Sequence, residues 1–209
     1  MNSSTIPSPT SIRKTIIEML HRSKASHLGS NMSVVEMQIG MLASVNITKI
    51  KNQTLDRSRI IISKGHCAAA TYATLSHFGL IDSQLLKKYH LNGSYLAGHV
   101  SHMVNAVEHS TGALGHGINV AVGSAIGMKS RKFDGLSLVL LGDGEIQEGS
   151  IWEAIMLAVH HNLNNFICLI DNNQISSIEN TYDVIDMRPL EKRFEGFGCN
   201  VKVVDGHSV

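Results

Sequence analysis

The chain has 209 residues, of which 43% are hydrophobic and 17% are charged, and its net charge is +1. This composition suits a globular domain with a sizeable core and argues against an intrinsically disordered chain. The near-neutral charge, without a long basic block, argues against a nucleic-acid partner or an anionic membrane partner.

The sequence shows no pattern for export or for spanning a membrane. Residues 1–10 lack the basic region and apolar core of a signal peptide, and no stretch reaches the roughly 18 apolar residues of a membrane span. We therefore expect a cytoplasmic protein. Cys67, Cys168 and Cys199 are widely spaced and form no CxxC pair, so we expect reduced thiols rather than a zinc site, with Cys168 in the core.

Taken in chain order, the hydrophobic pattern first predicts two helices, over residues 11–24 and 34–45. Apolar runs of strand length follow at 59–62, 136–141, 166–170 and 201–204. Helical patterns lie between and after these runs, at 66–78, 82–89, 111–129, 150–161 and 186–197. This alternation predicts an α/β fold in one domain, residues 1–209, with a mostly parallel sheet that is covered by helices on both faces.

Two segments depart from ordinary patterns. Residues 92–110 have no regular period and hold three histidines, and an irregular loop of this length is more often functional than idle. Residues 111–129 carry several glycines among alanines and valines, and glycine weakens a helix interior. Close packing would explain these glycines, either against another helix at an interface or against the sheet.

Polar turns follow two of the predicted strands. Gly142-Asp143-Gly144 ends the run 136–141, and Asp171-Asn172-Asn173 ends the run 166–170. If these are neighbouring parallel strands, about 4.8 Å apart, both turns lie at one edge of the sheet, where Asp143 and Asn173 reach a single cation. Such oxygen ligands suit Mg²⁺, which in turn holds phosphate oxygens, and the glycines allow a diphosphate to approach closely.

The run "GDGEIQEGSIWEAIMLAVHHNLNNFICLIDNNQIS" resembles the diphosphate-binding motif of thiamine-diphosphate enzymes, and its GDG-x-x-x-EG opening is similar to that of transketolases. Four earlier segments resemble motifs of the same family, in the family's order: "SKASHLGSNMSVVEM", "RIIISKGHCAAATYATLSHFG", "LAGHVS" and "VEHSTGALGHGINVAVGSAIG". The resemblance covers nearly the whole chain and implies a thiamine-diphosphate-binding domain of the diphosphate-binding type.

This resemblance implies a set of ligands for the metal and the cofactor. The side chains of Asp143 and Asn173 and the backbone carbonyl of Ile175 would bind Mg²⁺, with Ca²⁺ or Mn²⁺ as possible substitutes. Gly144 would meet the diphosphate, and Glu148 would help to link two cofactor sites across a subunit interface.

The resemblance also implies catalytic residues. His27, His66 and His99 would line the space around the thiazolium and the sugar, where they bind hydroxyls, contact the diphosphate or carry protons. Gly112 and Leu114 would contact the cofactor near its aminopyrimidine. Departures from the family's usual residues leave the sugar open; they are Ser26, Leu28, Val100 and His116.

The family's activating glutamate belongs to a pyrimidine-binding domain for which this sequence has no counterpart, and the diphosphate domain usually continues beyond "VVDGHSV". The resemblance therefore implies one subunit of a split transketolase, truncated at its C-terminal end. It would transfer a two-carbon ketol unit between sugars or sugar phosphates, but only with a C-terminal partner subunit, as a heterotetramer.

Other functions remain open at this point. A 2-oxo acid dehydrogenase alpha subunit or a deoxyxylulose-phosphate synthase fragment would share GDG and the asparagine. A non-catalytic paralogue would keep the fold without the reaction. Nucleotide-binding proteins fit less well, because the sequence has no GxxxxGK[ST] loop and no GxGxxG order at 142–149.

Overall fold

The computed structural model describes residues 6–208. Within them, three strands form one parallel sheet in the order β1 (Arg59–Ile62), β2 (Ser137–Gly142) and β3 (Phe166–Asp171). Every residue of β2 is buried, because this strand has a neighbour on each side. The sheet places the ends of all three strands at the same edge.

Helices precede and connect the strands. They are α1 (Pro9–Ser23), α2 (Leu28–Ser33), α3 (Val35–Ala43), α4 (Ile47–Lys51), α5 (Ala68–His77), α6 (Gly117–Ser130), α7 (Gly149–His160), α8 (Thr181–Val184) and α9 (Leu190–Gly196). Short 3₁₀ helices cover Gly65–Cys67, Ser83–Lys88 and Gly144–Gln147. No helix in the described residues is long and apolar enough to cross a bilayer.

The alternation of side chains along β2 divides the core into two halves. Leu138 and Leu140 pack with residues of α1, α3 and α5 on one face of the sheet. Val139 and Leu141 pack with residues of α6, α7 and α9 on the other face. A buried aliphatic side chain contributes about 1.5–3 kcal/mol, so both layers hold the sheet firmly. The predicted α/β class with helices on both faces is confirmed.

The strand predictions at 59–62, 136–141 and 166–170 are confirmed within one residue at each end. The strand predicted at 201–204 is wrong, since this segment forms no strand, and Val203 and Val204 are 80% and 77% exposed. Cys168 is only partly buried because β3 is an edge strand in the described sheet, and all three cysteines are free.

Several predicted helices change their length or type. The helix predicted from residue 111 begins only at Gly117, because Gly115 has a φ of +79°, outside the helical region. The helix predicted at 186–197 begins at Leu190, after Pro189, since a residue that precedes proline disfavours helical geometry. The helix predicted at 82–89 is a 3₁₀ helix.

Candidate functional site

The carboxyl ends of β2 and β3 lie side by side, as the sequence predicts. Gly142 pairs with Asp171 at the last position of the ladder. One step further, the backbone N–H of Asp143 donates to the carbonyl of Asp171 at 3.2 Å. The two polar turns therefore share one edge of the sheet, where ligands of open α/β sheets bind.

Asp143 is nearly enclosed, and its side-chain partners are neutral. The residue is 4% exposed, and its carboxylate accepts hydrogen bonds from the N–H of Gln174 at 2.6 Å, the N–H of Gly144 at 2.9 Å and the hydroxyl of Thr181 at 3.0 Å. Burial raises the pKa of Asp143, and the nearby negative charge of Asp171 adds to this. A divalent cation would offset the unfavourable charge.

Asn173 presents its two amide ends to different neighbours. Its Oδ1 accepts a hydrogen bond from the N–H of Ile175 at 3.0 Å, and its Nδ2 lies 3.3 Å from Oδ2 of Asp171. A carboxylate, an amide oxygen and the Ile175 carbonyl are ligands of the kind that Mg²⁺ accepts, with phosphate and water completing its octahedron. These residues therefore fit the implied metal.

The turn after β2 also leaves space for a ligand. A Cβ atom added to Gly144 would meet only the Cβ of Ser176, at 3.7 Å, so the chain does not fill the space beside this glycine. Among the described residues, no group of three or more His, Cys, Asp or Glu side chains forms a separate metal cluster. The Asp143 edge is thus the candidate cation site of the described chain.

Three histidines from distant segments meet near this edge. The ring centroid of His27 lies 5.6 Å from that of His66 and 5.8 Å from that of His99. His27 precedes α2, His66 lies in the turn after β1, and His99 belongs to the irregular segment 92–110. The structure therefore brings together the three histidines that the resemblance selected.

Buried polar groups hold the segments that carry these histidines. Asn31, which is fully buried, donates to the carbonyls of His27 at 2.7 Å and His66 at 3.4 Å. Its Oδ1 accepts from the N–H of Ala70 at 2.7 Å. The hydroxyl of Tyr72 donates to the carbonyl of His99 at 3.1 Å, so all three backbones are tied to α2 or α5.

The environment of the cluster keeps His66 neutral. Burial lowers the pKa of His66 to about 4, and the positive charge of Lys64 and then the neighbouring imidazoles reinforce this. Burial also lowers the pKa of His27, followed by the effects of His99 and His90. At neutral pH the ring of His66 therefore has one donor and one acceptor nitrogen.

The other predicted cofactor contacts lie along one loop before α6. A Cβ atom added to Gly112 would lie 3.5 Å from the ring of His99, so this loop borders the histidine cluster. Leu114 is 40% exposed, and a Cβ atom on Gly115 would lie 2.6 Å from the Cβ of Glu148. Glu148 itself is exposed at the start of α7.

A buried carboxylate that the sequence reasoning missed anchors this loop. Glu145 is 2% exposed and accepts hydrogen bonds from the N–H of Gly115 at 2.9 Å, the N–H of Gly142 at 3.2 Å and the hydroxyl of Ser63. It therefore joins the ends of β1 and β2 to the loop before α6. Its place within GDGE is a signal in the sequence, but the tripeptide alone drew the interpretation.

A buried ion pair was also missed. Nζ of Lys64 donates to Oδ2 of Asp171 at 2.6 Å, and this links the segment of His66 to that of Asn173. Both residues follow strand ends that the sequence predicts correctly. The pairing itself joins positions 107 residues apart, and no local pattern indicates it.

Comparisons with known proteins agree with this arrangement. Residues 8–209 match the family model described as "Transketolase, thiamine diphosphate binding domain". The chain is 35% identical over 195 residues to an apulose-4-phosphate transketolase subunit of Phocaeicola vulgatus, covering 93% of this chain and 69% of that protein. It is 30% identical over 199 residues to the 6-deoxy-6-sulfo-D-fructose transketolase subunit SqwG of a Clostridium species, covering 94% of this chain and 72% of that protein.

Solved structures give the same result. The transketolase of Campylobacter jejuni aligns with a TM-score of 0.86 and 28% identity, over 96% of this chain and 33% of that chain. A Pichia stipitis transketolase in complex with xylulose 5-phosphate aligns with a TM-score of 0.85 and 27% identity, over 95% of this chain and 31% of that chain. The chain thus spans about a third of the length of these transketolases.

Fold and site together define a thiamine-diphosphate-binding domain. The chain belongs to the transketolase family, and relatives that match most of it are named as single subunits of transketolases. The resemblance read from the motifs is confirmed.

Proposed function

We propose that the chain is the diphosphate-binding subunit of a split transketolase, which transfers a two-carbon ketol unit from a ketose donor to an aldose acceptor with thiamine diphosphate and Mg²⁺. One observation carries the proposal: the Lys64–Asp171 contact, at 2.6 Å, joins the histidine cluster to the Asp143 edge. Groups that suit a sugar thus lie beside groups that suit a metal and a diphosphate.

The residues at the strand ends would hold the cofactor. Asp143, Asn173 and the Ile175 carbonyl would bind the cation, and the open side of Gly144 would admit the diphosphate. Gly112 and Leu114 would border the aminopyrimidine, and Glu148 would face a partner. When bound, thiamine diphosphate supplies the electron sink for cleaving and forming the carbon–carbon bond.

The histidines would bind the sugar and handle its protons. The nitrogens of His27, His66 and His99 would donate to and accept from the hydroxyls of donor and acceptor. Because the pKa of His66 is about 4, its ring stays neutral through the physiological range and provides both roles at once.

The proposal includes a partner. The matched family model describes a thiamine-diphosphate-binding domain, and the relatives are named as subunits rather than as whole enzymes. We therefore assign the pyrimidine-binding domain and the activating glutamate to a second chain, in a cytoplasmic heterotetramer. The relatives' names point to ketoses with an anionic tail, either a phosphate or a sulfonate.

The test is turnover of a panel of ketose phosphates and sulfo-ketoses with Mg²⁺ and thiamine diphosphate, with and without the pyrimidine-domain subunit. We expect ketol transfer only with both chains, and no decarboxylation of pyruvate. His27→Asn should lower kcat/KM by about 10²–10⁴-fold, the range of a lost acid–base group. The matched control His21→Asn, on the exposed side of α1, should leave it unchanged. Turnover by this chain alone would contradict the split-subunit proposal.

A further inference from the structure

The ion pair between Lys64 and Asp171 is unusually well buried for two charged groups. The side chains are 4% and 8% exposed, respectively, and the two atoms lie 2.6 Å apart. Removing both charges from water is costly, and mutual attraction only partly offsets it. Such a pair suggests a role beyond stability, and its neighbours indicate which.

A single oxygen of Asp171 accepts several hydrogen bonds. Its Oδ2 lies 2.6 Å from Nζ of Lys64, 2.6 Å from Oγ of Ser33 and 3.3 Å from Nδ2 of Asn173. An ionised carboxylate only accepts hydrogen bonds, so the end of the Asn173 amide that faces it must be the NH₂ end. The charge of Asp171 thus assigns the amide orientation on chemical grounds.

This orientation leaves the oxygen of Asn173 for the cation. Oδ1 accepts one hydrogen bond, from the N–H of Ile175 at 3.0 Å, and a carbonyl oxygen has a second lone pair. If the amide were rotated by half a turn, two N–H donors would point towards the cation site. An NH₂ group cannot bind Mg²⁺, which requires oxygen ligands.

From this geometry we infer that Asp171 is a positioning residue: it fixes the Asn173 amide so that its oxygen faces the cation site, while Lys64 neutralises the added charge. The inference rests on the proposed function, because it takes Asn173 to be a metal ligand. Neutralisation matters because Asp143 already bears an unfavourable charge at the same edge. Partners of this kind typically change metal affinity by about 10–100-fold when they are removed.

A purely structural role is the competing explanation, since the pair also ties β1 to β3. Asp171→Asn alone would not separate the two roles, because it leaves the Lys64 ammonium buried without its partner. The double variant Lys64→Met with Asp171→Asn removes both charges and keeps similar volumes. The substituted asparagine side chain can then present either an oxygen or an NH₂ group to Asn173, so the amide loses its fixed orientation.

A second ion pair provides the matched control. Arg57 and Glu108 form a bidentate pair at 2.9 and 3.0 Å near the amino end of β1, away from the candidate cation site, and both side chains are 13% exposed. The double variant Arg57→Met with Glu108→Gln also removes two opposite charges from a mostly buried site. It measures what the loss of an ion pair does without touching Asn173.

The experiment measures Mn²⁺ binding to the full chain in the presence of thiamine diphosphate, by the enhancement of water-proton relaxation, together with the melting temperature. We expect the Kd for Mn²⁺ to rise about 10–100-fold in the Lys64/Asp171 double variant and to stay at the wild-type value in the Arg57/Glu108 variant. A wild-type Kd in the first variant, or an equal rise in both, would overturn the inference alone. Mn²⁺ binding that Asp143→Ala leaves unchanged would overturn the cation site, and with it both proposals.

Discussion

The carboxylate of Asp143 accepts a hydrogen bond at 2.6 Å from the backbone N–H of Gln174, which lies 31 positions further along the chain. Gln174 directly follows Asn173, so this bond locks the turn after β2 to the turn after β3. The side chains assigned to the cation are therefore held at one edge before any ligand binds. Preorganisation of this kind reduces the ordering cost of binding.

Asp143→Asn should remove the stabilisation that metal and cofactor provide while leaving the chain folded. The asparagine keeps the shape and one acceptor oxygen but lacks the negative charge that the cation needs. At a cofactor–metal concentration of 100 times the Kd, the wild-type chain should gain about 2.7 kcal/mol of unfolding free energy. Thermal melting with and without Mg²⁺ and thiamine diphosphate measures this gain. The exposed control Asp134→Asn should retain it, and a gain of wild-type size in Asp143→Asn would contradict the assignment.

Glu145 should contribute strongly to stability because it satisfies three donors at once. Glu145→Ala leaves the N–H groups of Gly115 and Gly142 without their acceptor, and each such loss costs about 1–3 kcal/mol. Glu145→Gln keeps one acceptor oxygen and should cost less than half as much. Urea unfolding compares the two variants, and equal losses would show that the side chain's volume, rather than its hydrogen bonds, matters.

Gly115 and Gly123 should respond to alanine in opposite ways. Gly115 has a φ of +79°, and a Cβ there would lie 2.6 Å from both the Cβ of Glu148 and Oγ of Ser150. Gly115→Ala should therefore lower the unfolding free energy by about 1–3 kcal/mol. Gly123 is an exposed position in α6 with no atom within 4 Å of an added Cβ, so Gly123→Ala should raise it by up to about 1 kcal/mol. The midpoint of urea unfolding gives both values, and a loss in Gly123→Ala would contradict the packing described for α6.

His66 should make the chain less stable as the pH falls from about 6.5 towards 4. Its pKa is lowered from 6.5 to about 4 in the folded chain, so the unfolded chain binds a proton in this range and the folded chain does not. Stability is therefore fully present above the unfolded pKa and is lost as the pH drops. The full shift corresponds to roughly 3 kcal/mol, and partial solvent exposure of the ring makes the effect smaller.

The measurement for His66 is the unfolding free energy at pH 7 and at pH 5, in the wild-type chain and in His66→Gln. Glutamine cannot titrate, so the drop between the two pH values should be smaller in the variant. Because burial also lowers the pKa of His27, some of the drop should remain. An identical drop in both proteins would show that His66 titrates normally in the folded chain.

The sequence was sufficient for the sheet edge. The apolar run before Asp143 and the one before Asn173 have strand length and end in polar turns, and the rule for parallel neighbours places those turns together. The apolar run at 201–204 has the same appearance but forms no strand, since a strand exists only where a neighbouring strand satisfies its hydrogen bonds. Local composition does not report such a partner.

The histidine cluster and its supports show a second boundary of sequence reasoning. No period relates His27, His66 and His99, and only the resemblance to family motifs selected them. Lys64 and Asp171 had no such aid, because the choice of a charged partner depends on distances in the folded chain. The tertiary fold brings these two charges together, and no pattern of neighbouring residues encodes that distance.

The most direct test of the account is an anomalous-scattering experiment on crystals of the chain grown with Mn²⁺ and thiamine diphosphate. We predict one Mn²⁺ peak bonded to an oxygen of Asp143, to Oδ1 of Asn173 and to the carbonyl of Ile175, with diphosphate oxygens completing the octahedron. A peak elsewhere on the chain, or a diphosphate bound without a metal at Asp143, would contradict the central claim.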